Sequence, residues 1–344
     1  MYVASRTAEC PYCSAHTCSF ALRRGASPDK VAQILVGGSA SFTPGELATV
    51  AVARSLARVP CELTASEREA LERCYPPDQA EWIVLGIVMM GFLNKFMDTI
   101  GVELEAPTVA EVSATMGTDW STGKAGRGLD LAARRTPPPP ADSLWTKLRI
   151  VPLLPAAVRL DMRWQRGVPG RWPAVGTFLR ERTGHDFPVL SRLRHARAIK
   201  SVDSMLRENL DGDTTVVGLD VKVLAGAIFA EVVADQALAA DVQALAARNG
   251  VAESQLDEAR RFALVPSTEP PGSDPKARAA LLLARAASPS PAEIDADIVA
   301  ACRDAALSAP AIVELVSWLS VLQMLHRLSS YYVPEPVQVT EPAT

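Results

Sequence analysis

Two cysteines and a histidine fall within one short stretch, Glu9-Cys10-Pro11-Tyr12-Cys13-Ser14-Ala15-His16-Thr17. Thiols separated by two residues can close a disulfide, and a nearby imidazole can accept a thiol proton, so this spacing suits dithiol redox chemistry. The segment has the marks of a helix start. Pro11 suits the first helical position, where its missing N–H costs nothing, and Gly25 suits the C-terminal cap. Cys10 then falls near the N-cap and Cys13 near the third helical position. Unpaired backbone N–H groups and the positive end of the helix dipole favour thiolate there. His16 follows Cys13 by three residues and shares its helical face.

Other readings of the same residues are a half zinc site, two inert buried cysteines, or a glutaredoxin-type Cys-Pro-Tyr-Cys. Cys18 offers a further metal ligand. At about 100° per residue, Cys10, Cys13, His16 and Cys18 point to roughly 0°, 300°, 240° and 80°. Cys18 therefore faces away, and one short helix cannot close a tetrahedron around an ion. The glutaredoxin reading needs a preceding strand, whereas the surroundings are rich in Ala, Leu and Arg at helical spacing. No metal or other cofactor is expected.

The 344 residues suffice for two substantial cores, and 35 basic against 39 acidic side chains leave no cationic excess to attract nucleic acid. Six cysteines in so long a chain do not make a disulfide framework. The N-terminus lacks a signal-peptide pattern. The most apolar run, Trp82 to Leu93, is too short for a bilayer and reads as a buried helix, so no membrane partner is expected. These features point to the reducing cytoplasm.

The chain repeats itself. Leu22-Arg23-Arg24-Gly25-Ala26-Ser27 and Ala247-Arg248-Asn249-Gly250-Val251-Ala252, 225 positions apart, each read as a helix end, a glycine cap and the start of another helix. Ala53-Arg54 aligns with Ala284-Arg285 at 231, and Trp82–Phe96 with Glu314–Leu328 at 232. An internal duplication with small insertions accounts for this drift. The expected fold is all-α with two related helical lobes. Residues 1–105 form a redox-active lobe, 106–176 a linker with four prolines at 137–140, 177–333 a degenerate lobe, and 334–344 a disordered tail. At the offset of 225, Cys10, Cys13 and His16 fall on Asp235, Leu238 and Asp241. The second lobe is thus expected to be a structural partner, and Cys18, Cys61, Cys74 and Cys302 to be small hydrophobes.

The Cys-Pro-Tyr-Cys-Ser-Ala-His segment with its Ala-rich helix, and Phe92-Leu93-Asn94-Lys95-Phe96-Met97-Asp98 before Gly101, resemble the alkylhydroperoxidase D-like / carboxymuconolactone decarboxylase family. The resemblance covers residues 1 to about 105. It implies an all-α, homo-oligomeric thiol peroxidase that consumes a hydroperoxide and is reset by an external dithiol. In that scheme His16 takes the proton of Cys13, Cys13 attacks the peroxide, and Cys10 closes the disulfide. The family's relay glutamate lies further before the first cysteine than the nine residues available here, so the chain looks truncated at its start. Glu9 or Tyr12 could serve as a proton relay instead. Asn94 and Asp98 read as helix-surface or interface polars. Alternatives are a lyase of the decarboxylase type and a degenerate member retained for binding or assembly.

Overall fold

The computed structural model describes residues 1–34, 42–116, 120–122, 151–265, 269–272 and 274–333, without the side chains of residues 164 and 165. The prolines at 137–140 and the tail from 334 lie outside the described residues. All regular structure among the described residues is helical, which is the all-α class expected.

The first half contains α1 (Tyr2–Thr7), α2 (Pro11–Arg23), α3 (Pro28–Gln33), α4 (Pro44–Ala57), α5 (Ala65–Cys74), α6 (Pro77–Ile100) and α7 (Ala106–Met116). After α8 (Leu154–Gln165), α9 (Ala174–Thr183) and α10 (Ala196–Asn209), the second half contains α11 (Leu219–Val232), α12 (Gln236–Asn249), α13 (Glu253–Leu264), α14 (Pro275–Ala287), α15 (Ala296–Asp304) and α16 (Ala309–Tyr332). Local sequence sets most boundaries. Thr43 and Thr64 accept the N–H of Glu46 and Glu67 and receive their carboxylates in return, which starts α4 and α5. Asp295 and Ser308 cap α15 and α16 in the simpler way.

Details recur at the offsets read from the sequence. Glu9 and Ala234 both take φ +52° in the turn before a helix, and their N–H groups bond to Arg6 O and Glu231 O, each at 3.2 Å. Cys10 N–H reaches Ser5 O and Asp235 N–H reaches Ala230 O, both at 3.1 Å. Gly25 and Gly250 follow α2 and α12 with φ +94° and +69°, a conformation that glycine adopts without a Cβ penalty. The Val59–Pro60 and Ser290–Pro291 peptide bonds are both cis. The two 24-residue helices, α6 and α16, pack against each other at the centre of the molecule. Gly91 allows this, because a Cβ there would come within 2.9 Å of Arg327 Cδ.

The halves share one core that runs from Val3 through Val84 and Phe229 to Tyr331. They also exchange buried cations. Lys95 Nζ on α6 donates to Ala287 O and Ser288 O, both at 2.8 Å, and to Pro289 O, at the end of α14. Arg327 on α16 donates to Ala57 O at 3.4 Å, at the end of α4, and to Ile87 O at 3.1 Å. Each cation meets carbonyls at a helix C-terminus, where positive charge is favoured. Burial lowers the Arg327 pKa to about 10.

The packed first half extends past residue 105. α7 lies on α2 and α3 through Val112 and Met116, and Arg23 and Ser19 bond Glu111. The start of the expected linker is therefore an integral helix, because its apolar face completes a small core with Ala15, Cys18 and Leu22. The apolar run at Trp82 sits inside a helix longer than its own span. Both α6 and α16 are long and apolar enough to cross a membrane, and 44% and 67% of their most apolar windows are buried inside the protein.

Candidate functional site

Cys10 is the N-cap of α2 and Pro11 its first residue, as the spacing predicts. The Cys13 N–H donates to Cys10 Sγ at 3.2 Å, so the sulfur performs the capping role normally taken by a hydroxyl or carboxylate. Both thiols are covered, with 0% and 4% exposure. Cys13 Sγ also lies 3.6 Å from Leu93 O, on α6. The hydrogen bond to Cys10, then burial, then the nearby charges of Cys10 and Asp98 push the Cys13 thiol far above its ordinary range. Cys10 Sγ accepts an amide N–H at the start of the helix, whereas Cys13 Sγ is directed to a carbonyl oxygen.

α6 closes the site from below. Asn94 accepts from Ser5 Oγ at 3.2 Å and donates to Ala4 O at 3.3 Å, which ties α1 to α6. Asp98 Oδ2 accepts the N–H of Ala292 at 2.7 Å and thereby joins the second half. Both are buried, which decides for the interface over the helix surface, the two places the sequence left open.

The remaining expected site residues stand apart from the sulfurs. His16 Nε2 pairs with Glu105 Oε2 at 3.0 Å on the surface, and its ring packs on Tyr12 with centroids 4.3 Å apart. The His16 hydrogen bond is thus directed to a carboxylate and not to Cys13, although the two share a helical face. Glu9 is exposed and makes the turn between α1 and α2 with its backbone. Tyr12 is half-buried, and burial, followed by the charges of Glu105, Cys13 and Cys10, raises its pKa.

Sequence reasoning missed a second cluster at the matching place in the other half. Asp235 caps α12 as Cys10 caps α2, accepting the Leu238 N–H at 2.9 Å. Its other oxygen lies 2.8 Å from His326 Nδ1 and 2.7 Å from Ser329 Oγ. His326 stands where Asn94 stands in the first half, and its Nε2 accepts the N–H of Cys61 at 3.2 Å. The alignment at 232 positions places His326 opposite Asn94, but nothing local to Cys61 announces its nearness to either. Cys61 is half-buried beside this imidazole, whereas Cys18 and Cys302 are buried like other small hydrophobes and Cys74 is exposed.

Comparison with models of known protein families, with curated proteins and with solved structures gives no match.

Proposed function

We propose that the chain is a thiol-dependent oxidoreductase whose reducible group is the Cys10–Cys13 pair, a thiol peroxidase of the alkylhydroperoxidase D-like kind. The observation that carries this reading is the 3.2 Å contact of Cys10 Sγ with the Cys13 N–H at a helix start. It holds the two cysteines one turn apart at the helix start, an arrangement suited to a disulfide, and gives one sulfur an amide donor.

The hydrogen bonds of the pair, with Cys10 Sγ accepting the Cys13 N–H and Cys13 Sγ directed to Leu93 O, support an order opposite to the one the family resemblance implies. Cys10 Sγ attacks a hydroperoxide oxygen, the O–O bond breaks, and the alcohol leaves with a proton. Cys13 Sγ then displaces water from the Cys10 sulfenic acid and forms the disulfide. An external dithiol returns both sulfurs to thiols. Full burial of the pair favours a small hydroperoxide. His16, turned to Glu105, is not needed for the first proton transfer. The wider proposal is a cytoplasmic homo-oligomer of two halves descended from one unit. Exposed Trp82 and Met89 on α6 offer apolar surface for a second copy.

Single-turnover reaction with hydrogen peroxide, followed by peptide mass spectrometry, tests both parts. Wild type should lose two thiols, mapped to Cys10 and Cys13. Cys13→Ser should retain one turnover and accumulate a trappable sulfenic acid on Cys10, and Cys10→Ser should consume none. A sulfenic acid trapped on Cys13 in Cys10→Ser would restore the order implied by the resemblance. A disulfide on any other pair would overturn the assignment of the site.

A further inference from the structure

Cys61, His326 and Asp235 meet at the wall of a cavity of about 390 Å³ between the two halves. The volume lies within the range of sites that hold small organic molecules. Its lining is mixed, with Pro60, Leu63, Val233 and Val333 beside Thr64 and Ser330. Since His326 Nε2 accepts the Cys61 N–H, the ring proton sits on Nδ1 and points to Asp235 Oδ2. The carboxylate is itself fixed by the Leu238 N–H and by Ser329. This is the order of groups that activates a nucleophile: a carboxylate, an imidazole oriented by it, and a thiol at the far nitrogen. In the resting protein Cys61 Sγ donates to Leu56 O at 3.2 Å, so activation requires this side chain to turn from Leu56 toward Nε2.

We propose that Cys61 is a second nucleophile of this protein, activated by His326 and positioned through Asp235, and that it accepts acyl groups from small activated esters or thioesters. As the bond from Cys61 Sγ to the acyl carbon forms, the bond from that carbon to the leaving oxygen or sulfur breaks. The thiol proton passes to His326 Nε2 and from there to the leaving group. Water then attacks the enzyme thioester, gives its proton to Nε2, and releases the carboxylic acid with the thiol restored. No electron transfer is involved, and the site is independent of the Cys10–Cys13 reading.

Reduced full-length protein treated with p-nitrophenyl acetate, with each cysteine followed by peptide mass spectrometry, tests this proposal. Cys74 is an exposed thiol in the same molecule and serves as the internal reference. Cys61 should be acetylated about 100-fold faster than Cys74, the order of a positioned general base. His326→Asn should remove that advantage; asparagine already occupies the matching position in the first half, so the fold tolerates its shape. Asp235→Asn keeps the cap on Leu238, and should move the pH midpoint of Cys61 alkylation by iodoacetamide upward. The proposal is overturned if Cys61 reacts no faster than Cys74, or if its rate survives His326→Asn. The comparison within the wild-type protein decides the matter even if a variant fails to fold.

Discussion

A cysteine and an aspartate do the same structural work at matching positions, and their chemistry diverges from there. Cys10 Sγ takes one amide N–H and keeps its remaining capacity for sulfur chemistry. Asp235 takes the equivalent N–H and extends its second oxygen to His326 and Ser329. Burial pushes the Asp235 carboxyl up, but the hydrogen bonds and the charge of His326 hold it below the ordinary aspartate value of 3.8. A depressed folded-state pKa contributes stability that is present above the unfolded value and is lost as pH falls through the folded value. The urea midpoint of wild type should therefore exceed that of Asp235→Asn at neutral pH, and the gap should narrow once pH drops below 3.8. A gap that stays constant through that range would show that Asp235 acts by shape alone.

Helix termini are the elements that bring the chemistry into place. α2 and α12 both begin at a buried side-chain cap, preceded by a non-glycine residue at φ +52°. A positive φ at Glu9 or Ala234 is strained for a residue with a Cβ, and tertiary packing must hold it. The cap makes a separable contribution. In reduced protein, Cys10→Ser keeps an acceptor for the Cys13 N–H whereas Cys10→Ala leaves that buried donor bare. Cys10→Ala should be less stable than Cys10→Ser by about 1 kcal/mol in urea denaturation. Equal stabilities would mean that the sulfur contact does no capping. The first turn of α2 was legible in the sequence because Pro11 and Gly25 are local signals. α7 was not, because its place depends on an apolar face on α2 that becomes visible only once both helices exist.

At the scale of the molecule, the two halves pack around one core. Their buried side chains belong to a single core, and each half supplies a cation that satisfies carbonyls at the end of a helix in the other. Lys95 is only 2% exposed, and its loss would leave the carbonyls of Ala287 and Ser288 without the charge they accept from. Lys95→Met should lower stability by about 3 kcal/mol, the cost of breaking a buried charged contact. Unfolding should stay a single transition in calorimetry, shifted to lower temperature. Two separated transitions in wild type would show that the halves fold independently despite their shared core.

The sequence by itself determined the helical class, the cap at Cys10 and the proline at the first position of α2, and it suggested the pairing of residues at offsets of 225 to 232. Each of these rests on neighbours in the chain or on comparing the chain with itself. It left Asn94 and Asp98 as helix-surface or interface polars, and the packing of α6 decided for the interface. Only the tertiary structure decided where the imidazoles point. His16 shares a face with Cys13 by spacing, yet Glu105, 89 residues away, takes its hydrogen bond at the surface. His326 and Cys61 are 265 residues apart, and a crossing of helices joins them beside Asp235. Hydrogen-bond partners at such separations follow from packing of the whole core, which no local pattern of residue types encodes.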